Sequence, residues 1–213
     1  MTAPPLFDEN FLAGFEALVR WRRDVRRFKR EPIPGDLITS ILELAQLSPS
    51  VGNSQPWRFI SVGSAAKRAA VKQNFLDCNA DALAAQASDR AGAYARLKLE
   101  GLDAAPTQFA IFCARNTSQG HHLGSRTMPE ALDYSVVTMI SILWLAARSR
   151  GLGVGWVSIL DPTRLAKELG APDSHKFIAY LCIGWPQEEH LDPELARLGW
   201  QERTEMGRLI HHI

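Results

Sequence analysis

Phe11, Phe15, Leu18 and Val19 recur at the spacing of one helical face, and Asn10 precedes them as the expected N-cap. Leu37, Ile38, Ile41, Leu42 and Ala45 form a second apolar stripe, on a helix running from about Gly35 to just before Pro49. The residue before a proline disfavours helical backbone, which stops it there. Arg58 to Val62 reads as a short strand. An Ala-rich helical region follows from Ser64 to about Leu102, with an interruption expected near Ser88. Gln108 to Ala114 reads as a strand, and the polar run Thr117 to Met128 as a loop. From Pro129 to Gly151 the chain carries Val136, Met139, Ile140, Leu143, Trp144 and Ala147. This is its most apolar helix, expected in the core or at a subunit interface. Val154 to Ile159 reads as a strand. Asp161-Pro162 then caps and opens a helix that ends at Gly170. Phe177 to Gly184 reads as a last strand, and the tail from Pro193 to Ile213 is long enough to wrap a partner. Alternating strands and helices predict a three-layer α/β or α+β domain.

Composition adds limits to that picture. The 213 residues suffice for one large domain with a real core. A net charge of only +1 argues against a general nucleic-acid binder. No membrane association and no secretory segment are expected, since the apolar runs are short and residues 1–10 lack a basic start. Cys78, Cys113 and Cys182 are isolated and odd in number, which fits a reducing, cytoplasmic setting. Cys113 and Cys182 sit in apolar runs and read as small core residues.

Charge is nevertheless concentrated in one place. Between Arg20 and Arg30 there are seven basic side chains and one acid, Asp24. Guanidinium forks bind phosphate in two-pronged fashion, so a phosphate-bearing ligand is one reading. A solvated basic face at a helix end is the other. Asp24, surrounded by cations, is expected to stay ionised because nearby positive charge lowers a carboxyl pKa.

Two further segments concentrate polar or flexible residues. Pro49-Ser50-Val51-Gly52-Asn53-Ser54-Gln55-Pro56-Trp57 packs hydroxyls and amides between two prolines. It suits either a turn or a loop that serves a polar ring or sugar chain. Gly151-Leu152-Gly153-Val154-Gly155-Trp156-Val157-Ser158 is glycine-rich but precedes a strand, so it is no dinucleotide fingerprint. Its alternate glycines permit either a flat ligand against the backbone or close helix–strand packing. The adjacent pairs His121-His122 and His211-His212 lack metal-ligand spacing, and no metal site is expected.

Together, Arg22-Arg23-Asp24-Val25-Arg26, the Pro49 to Trp57 loop and the Gly151 to Ser158 segment resemble the flavin-dependent nitroreductase superfamily. Leu97 to Gly101, Leu143 to Arg148, Pro193-Glu194-Leu195 and Gly199-Trp200 extend the likeness over about residues 12–210. It implies an α+β sandwich with a mixed central sheet flanked by helices, one domain over 1–213 with a C-terminal extension, and a homodimer holding FMN at its interface. Arg22, Arg23 and Arg26 match positions that hold the FMN phosphate and ribityl chain, with Arg203 a weaker phosphate-side match. Ser50 and Asn53 match the loop reaching the flavin from the second subunit. Leu99 falls in a cofactor-side stretch, and Gly153 and Gly155 match the segment facing the isoalloxazine ring.

Ordinary members usually carry Ser where this chain has Asp24. Asp24 and Ser158 match residues of the branch that consumes its flavin. That branch converts FMNH2 and O2 to 5,6-dimethylbenzimidazole and erythrose 4-phosphate, for vitamin B12, with a separate flavin reductase as a candidate partner. Asn53-Ser54, the 123–134 loop and Ser141-Ile142 depart from the branch, and Asn53 is what a plain nitroreductase carries. The alternatives are therefore an NAD(P)H-dependent nitroreductase or quinone reductase, and a non-catalytic anion- or partner-binding module.

Overall fold

The computed structural model describes residues 3–85 and 101–213. Helices α1 (Glu9–Trp21), α2 (Gly35–Gln46) and α3 (Ala65–Ala84) precede a short α4 (Gly101–Ala104). Then come α5 (Ala131–Arg148), α6 (Pro162–Leu169) and a short α7 (Glu194–Arg197). Four strands, β1 (Trp57–Ser61), β2 (Thr107–Ala114), β3 (Gly153–Val157) and β4 (His175–Gly184), form one sheet in the order β1-β2-β4-β3. All three ladders are antiparallel. The mixed character expected of the sheet is confined to its β3 edge, where Asp24 makes a parallel bridge to Val154.

Strand alternation sends successive side chains to opposite faces, and both faces are covered. On one, Phe109, Ile111, Leu181 and Ile183 pack with Ile41 of α2 and with Val136, Met139, Ile140 and Leu143 of α5. On the other, Phe112, Tyr180 and Cys182 pack with Val71 and Phe75 of α3 and Leu165 of α6. The result is the three-layer α+β arrangement that the alternation of elements predicts. α5 supplies the core as expected, although Tyr134 and Val137 on its other side are exposed.

Local signals mostly fix the boundaries. Ser64 caps α3 through a hydrogen bond from the Lys67 N–H, and Asp161 Oδ1 accepts from Thr163 and Arg164 N–H at 2.9 and 3.0 Å. Gly170 closes α6 in the left-handed conformation, φ 73°. Some boundaries move: β3 ends at Val157 instead of Ile159, β4 begins at His175 and α5 at Ala131, and Asp8, not Asn10, caps α1, since its Oδ1 accepts the Phe11 N–H at 2.8 Å. Asp161 also ties two helices together, because its backbone N–H and C=O both bond the buried Asn74 side chain of α3. Cys113 and Cys182 are core residues, and burial pushes both thiols up to about 12, so neither supplies a thiolate near neutrality.

α1 buries none of its side chains. Phe7, Phe11 and Phe15 stack along it in sequence, with Phe11 half exposed. The tail beyond Trp200 is exposed throughout, including Met206, Leu209 and Ile210.

Candidate active site

After α1 the chain runs along the free edge of β3. Val25 N–H donates to Val154 O at 3.0 Å, and Lys29 N–H to Trp185 O at 2.8 Å. Phe28, fully buried, anchors the segment. A Cβ added to Gly101 or Gly184 would lie 3.0 Å from its ring, so small residues form its seat. A Cβ on Gly153 would stand 2.6 Å from Val25 Cγ2, and one on Gly155 only 2.2 Å from the Val25 carbonyl oxygen. The two glycines are therefore needed for the segment to approach β3. The close-packing reading holds at these positions, and the Cβ sides of both glycines are taken up by Val25 instead of lying open to a flat ligand.

This approach places Asp24 beneath the arginines. Its Oδ1 accepts the Trp156 N–H at 2.9 Å, and Arg26 Nε lies 3.5 Å from Oδ2. The expected lowering of the Asp24 pKa is not what results. Burial raises it, and this outweighs the opposing pull of the Trp156 N–H and of Arg26, while Glu194 adds a like charge that raises it further. The sequence shows the cations around Asp24 but not the protein packed about its carboxyl, which desolvates it although 38% of the side chain stays exposed. The raised pKa makes Asp24 a better proton acceptor near neutrality than a solvated aspartate.

The arginines divide by partner. Arg20 pairs with Glu16 within α1, and Arg27 Nε donates to Glu188 at 2.6 Å, with Nη1 3.3 Å from Glu194. For these two, the need for an anion is met inside the chain. Arg22 lies over the Trp144 ring at 5.0 Å, and the Trp144 indole N–H donates to Arg23 O at 3.2 Å. Arg23 donates only to carbonyls, those of Leu191 and Arg22. Burial lowers its pKa, and the crowding cations Arg203 and Arg22 add to this. Arg26 is 11% exposed, yet its Nη1 is buried and has no hydrogen-bond partner among the described residues. Arg22, Arg23, Asp24, Arg26 and Arg203 line one cavity with Pro193, Glu194 and Leu195. A buried donor without a partner costs free energy, so this cavity suits a ligand rich in acceptors, as a phosphate ester is.

The remaining expected residues lie elsewhere. Ser50 Oγ accepts the Gln55 N–H at 3.0 Å, and Asn53 Oδ1 accepts from Gln55 Nε2 at 3.3 Å. Their loop is held by Ser135 Oγ, which accepts the Val51 N–H, and by Gln119, which donates to Asn53 O. Trp57, at the loop's end, pairs with Cys113 and so sits at the start of β4, whereas Val154 beside Asp24 pairs with Ile183 near its end. The two groups occupy diagonally opposite corners of the sheet, roughly 19 Å apart across the strands and about 23 Å along them. Within one chain they do not meet. Ser158 is exposed just past β3 and lines none of the three cavities that contain Asp24 and Arg26. Leu99 lies outside the described residues.

Sequence reasoning gave no role to Glu188, Glu189, Asp192 or Glu194. Glu189 pairs with Arg148, and the acids of residues 188–194 face the arginine segment together. Their clustering after Trp185-Pro186 is a signal, but nothing in the spacing says which arginines they meet.

The family model described as "Nitroreductase family" matches residues 19–185, and the chain belongs to that family. Among curated relatives, a protein of Rhodospirillum rubrum named 5,6-dimethylbenzimidazole synthase is 57% identical over 95% of this chain and 96% of its own. A protein of the same name from Rhodobacter capsulatus is 45% identical over 92% of this chain and 95% of its own. Among solved structures, iodotyrosine deiodinase bound to FMN and 3-iodo-L-tyrosine shares the fold, with TM-score 0.72 at 20% identity over 90% of this chain and 95% of that one. So does an FMN-complexed putative nitroreductase from Exiguobacterium sibiricum, with TM-score 0.70 at 16% identity over the full length of both.

Proposed function

We propose that this chain cleaves reduced FMN with O2, yielding 5,6-dimethylbenzimidazole and erythrose 4-phosphate. The observation that carries this reading is the carboxylate of Asp24, held by the Trp156 N–H beneath a group of arginines with spare donors. The likeness to relatives named for this synthesis supports it.

FMN fits the residues present. Its phosphate and ribityl chain answer the unpartnered Nη1 of Arg26 and the crowded Arg22, Arg23 and Arg203. Reduced FMN supplies the carbon skeleton and electrons when bound. Arg22, Arg23 and Arg26 would hold the phosphate and ribityl chain together, with Arg203 on the phosphate side. Asp24 takes a proton from a ribityl hydroxyl, a task its raised pKa suits. Ser158, exposed at the strand end, serves the ring side.

The reading requires a homodimer. Ser50 and Asn53 reach a flavin at Arg26 only from a second copy, since one chain keeps them at opposite corners of the sheet. The exposed stack Phe7, Phe11, Phe15 on α1, the outer side of α5 and the apolar tail provide its interface. Twofold symmetry then gives two sites. O2 and a separate flavin reductase complete the partners, and the cytoplasm, where thiols stay free, is the setting.

A plain NAD(P)H-dependent nitroreductase is the second reading, favoured by Asn53. Asn53, however, has φ 53°, a left-handed conformation that Asn tolerates better than most residues. Its identity thus has a local backbone reason that does not depend on hydride transfer. The test is to incubate the protein with chemically reduced FMN in air and assay 5,6-dimethylbenzimidazole by mass spectrometry. Its formation supports the first reading. Rapid NADPH turnover without that product supports the second.

A further inference from the structure

Glu194 stands between two arginines of the site segment. Its Oε2 is 3.9 Å from Arg26 Nε, and its Oε1 accepts from Arg27 Nη1 at 3.3 Å. Arg26 Nε is also 3.5 Å from Asp24 Oδ2. Charges of opposite sign therefore alternate along a row, Asp24, Arg26, Glu194, Arg27 and Glu188. At 13% exposure Glu194 is poorly screened by salt or water. Both carboxylates sit on the Nε edge of Arg26, and its Nη1 is left unpartnered in the interior.

An arginine beside a lone carboxylate tends to turn both prongs of its fork onto it. Without Glu194, Arg26 has only Asp24 to turn to. We infer that Glu194 is a positioning residue: it holds the Nε edge of Arg26, keeps Nη1 free for a ligand and keeps Asp24 out of a two-pronged pair with Arg26. This rests on the function proposed above for Asp24. The raised pKa of Asp24, to which Glu194 contributes after burial, agrees with the geometry. The other groups facing Asp24 are the Trp156 N–H from β3, Cys182 from β4, Arg22, Arg23 and Arg27 from its own segment, and Arg203 from the tail, with Arg148 of α5, Arg197 of α7 and Glu188, Glu189, His190 and Asp192 across the adjoining cavity.

The test reads the carboxyl of Asp24 directly. The ¹³C NMR titration of its side chain, assigned by its loss in Asp24→Asn, is recorded in the ligand-free wild type, Glu194→Gln, Glu194→Ala and Glu194→Asp proteins. Both neutral variants are expected to move the Asp24 midpoint to lower pH, and Glu194→Asp to restore it towards the wild-type value. With reduced FMN, the acid limb of product formation should move the same way in Glu194→Gln. An unmoved midpoint in the neutral variants would overturn the inference. So would an equal shift in Glu194→Asp, which would mark loss of shape instead of loss of charge. The titration needs no turnover, so a wild type that makes no 5,6-dimethylbenzimidazole sinks the proposed reaction and leaves the role of Glu194 to be decided by the NMR result.

Discussion

Gly155→Ala is the sharpest perturbation this structure offers. The added methyl would lie 2.2 Å from the Val25 carbonyl oxygen, against an ordinary contact of about 3.4 Å. The obstacle is backbone, so β3 and the Val25 segment must separate by roughly 1 Å. Overpacking of this kind costs about 1–3 kcal/mol. Separation also strains the Val25 N–H to Val154 O bond and the Trp156 N–H to Asp24 bond, 3.0 and 2.9 Å long. Losing the first costs about 0.5–1.5 kcal/mol and the second, to a charged group, about 1.5–3 kcal/mol. The terms overlap because one movement causes all three, so a total of about 3–5 kcal/mol is expected. Urea unfolding at fixed protein concentration measures it, since the stability of the proposed dimer would depend on concentration. Gly63→Ala, with open space around the new methyl, is the control and should stay within about 0.5 kcal/mol. A Gly155→Ala protein as stable as that control, with unchanged FMN affinity, would refute the claim that the glycines exist to admit the Val25 segment.

Four other outcomes are expected. Arg26→Ala should weaken FMN binding by about 1.5–3 kcal/mol by calorimetry while riboflavin binding changes less, because a charge-assisted bond to the phosphorylated side chain is lost. Asp24→Asn should retain FMN yet lower 5,6-dimethylbenzimidazole formation by about 10²–10⁴-fold, measured in single turnover with reduced FMN. The same variant reports on stability. A carboxyl whose folded pKa is raised stabilises the fold below its unfolded pKa, and this contribution is lost as pH rises through the folded pKa. The melting-temperature advantage of Asp24→Asn over wild type should therefore grow from acid to neutral pH, and a shrinking one would contradict the burial argument. Phe11→Asp with Phe15→Asp should give a monomer by sedimentation velocity that no longer retains FMN, because the exposed stack on α1 is the proposed interface.

What was readable in the chain follows the range of the forces involved. Caps act over three residues, so Ser64, Asp161 and Gly170 mark their boundaries plainly in the sequence. Asn10 misleads because Asp8, two residues earlier, makes the same kind of cap and wins the Phe11 N–H. The arginine run and the glycine pairs are visible as composition, and family likeness gives them roles. Their meetings are not visible. Arg27 finds Glu188 and Glu194 across more than 160 residues of chain, and Gly155 finds Val25 across a strand pairing that no local pattern encodes. Crowding is equally hidden: the same cations around Asp24 lower its pKa in open solvent and fail to do so once protein packs about the half-buried carboxyl.

The corner-to-corner separation of Asp24 and Asn53 across the sheet has a genetic consequence. In a twofold dimer each flavin site takes its arginines from one chain and its Ser50–Asn53 loop from the other. Two inactive variants, one damaged at Arg26 and one in the loop, would then rescue each other on mixing. Their hybrid dimer concentrates both defects in one site and leaves the second intact. A strain carrying both alleles would regain a fraction of wild-type output, a quarter if chains pair at random. Whether the two lesions complement is thus set by where the chain crosses its own sheet.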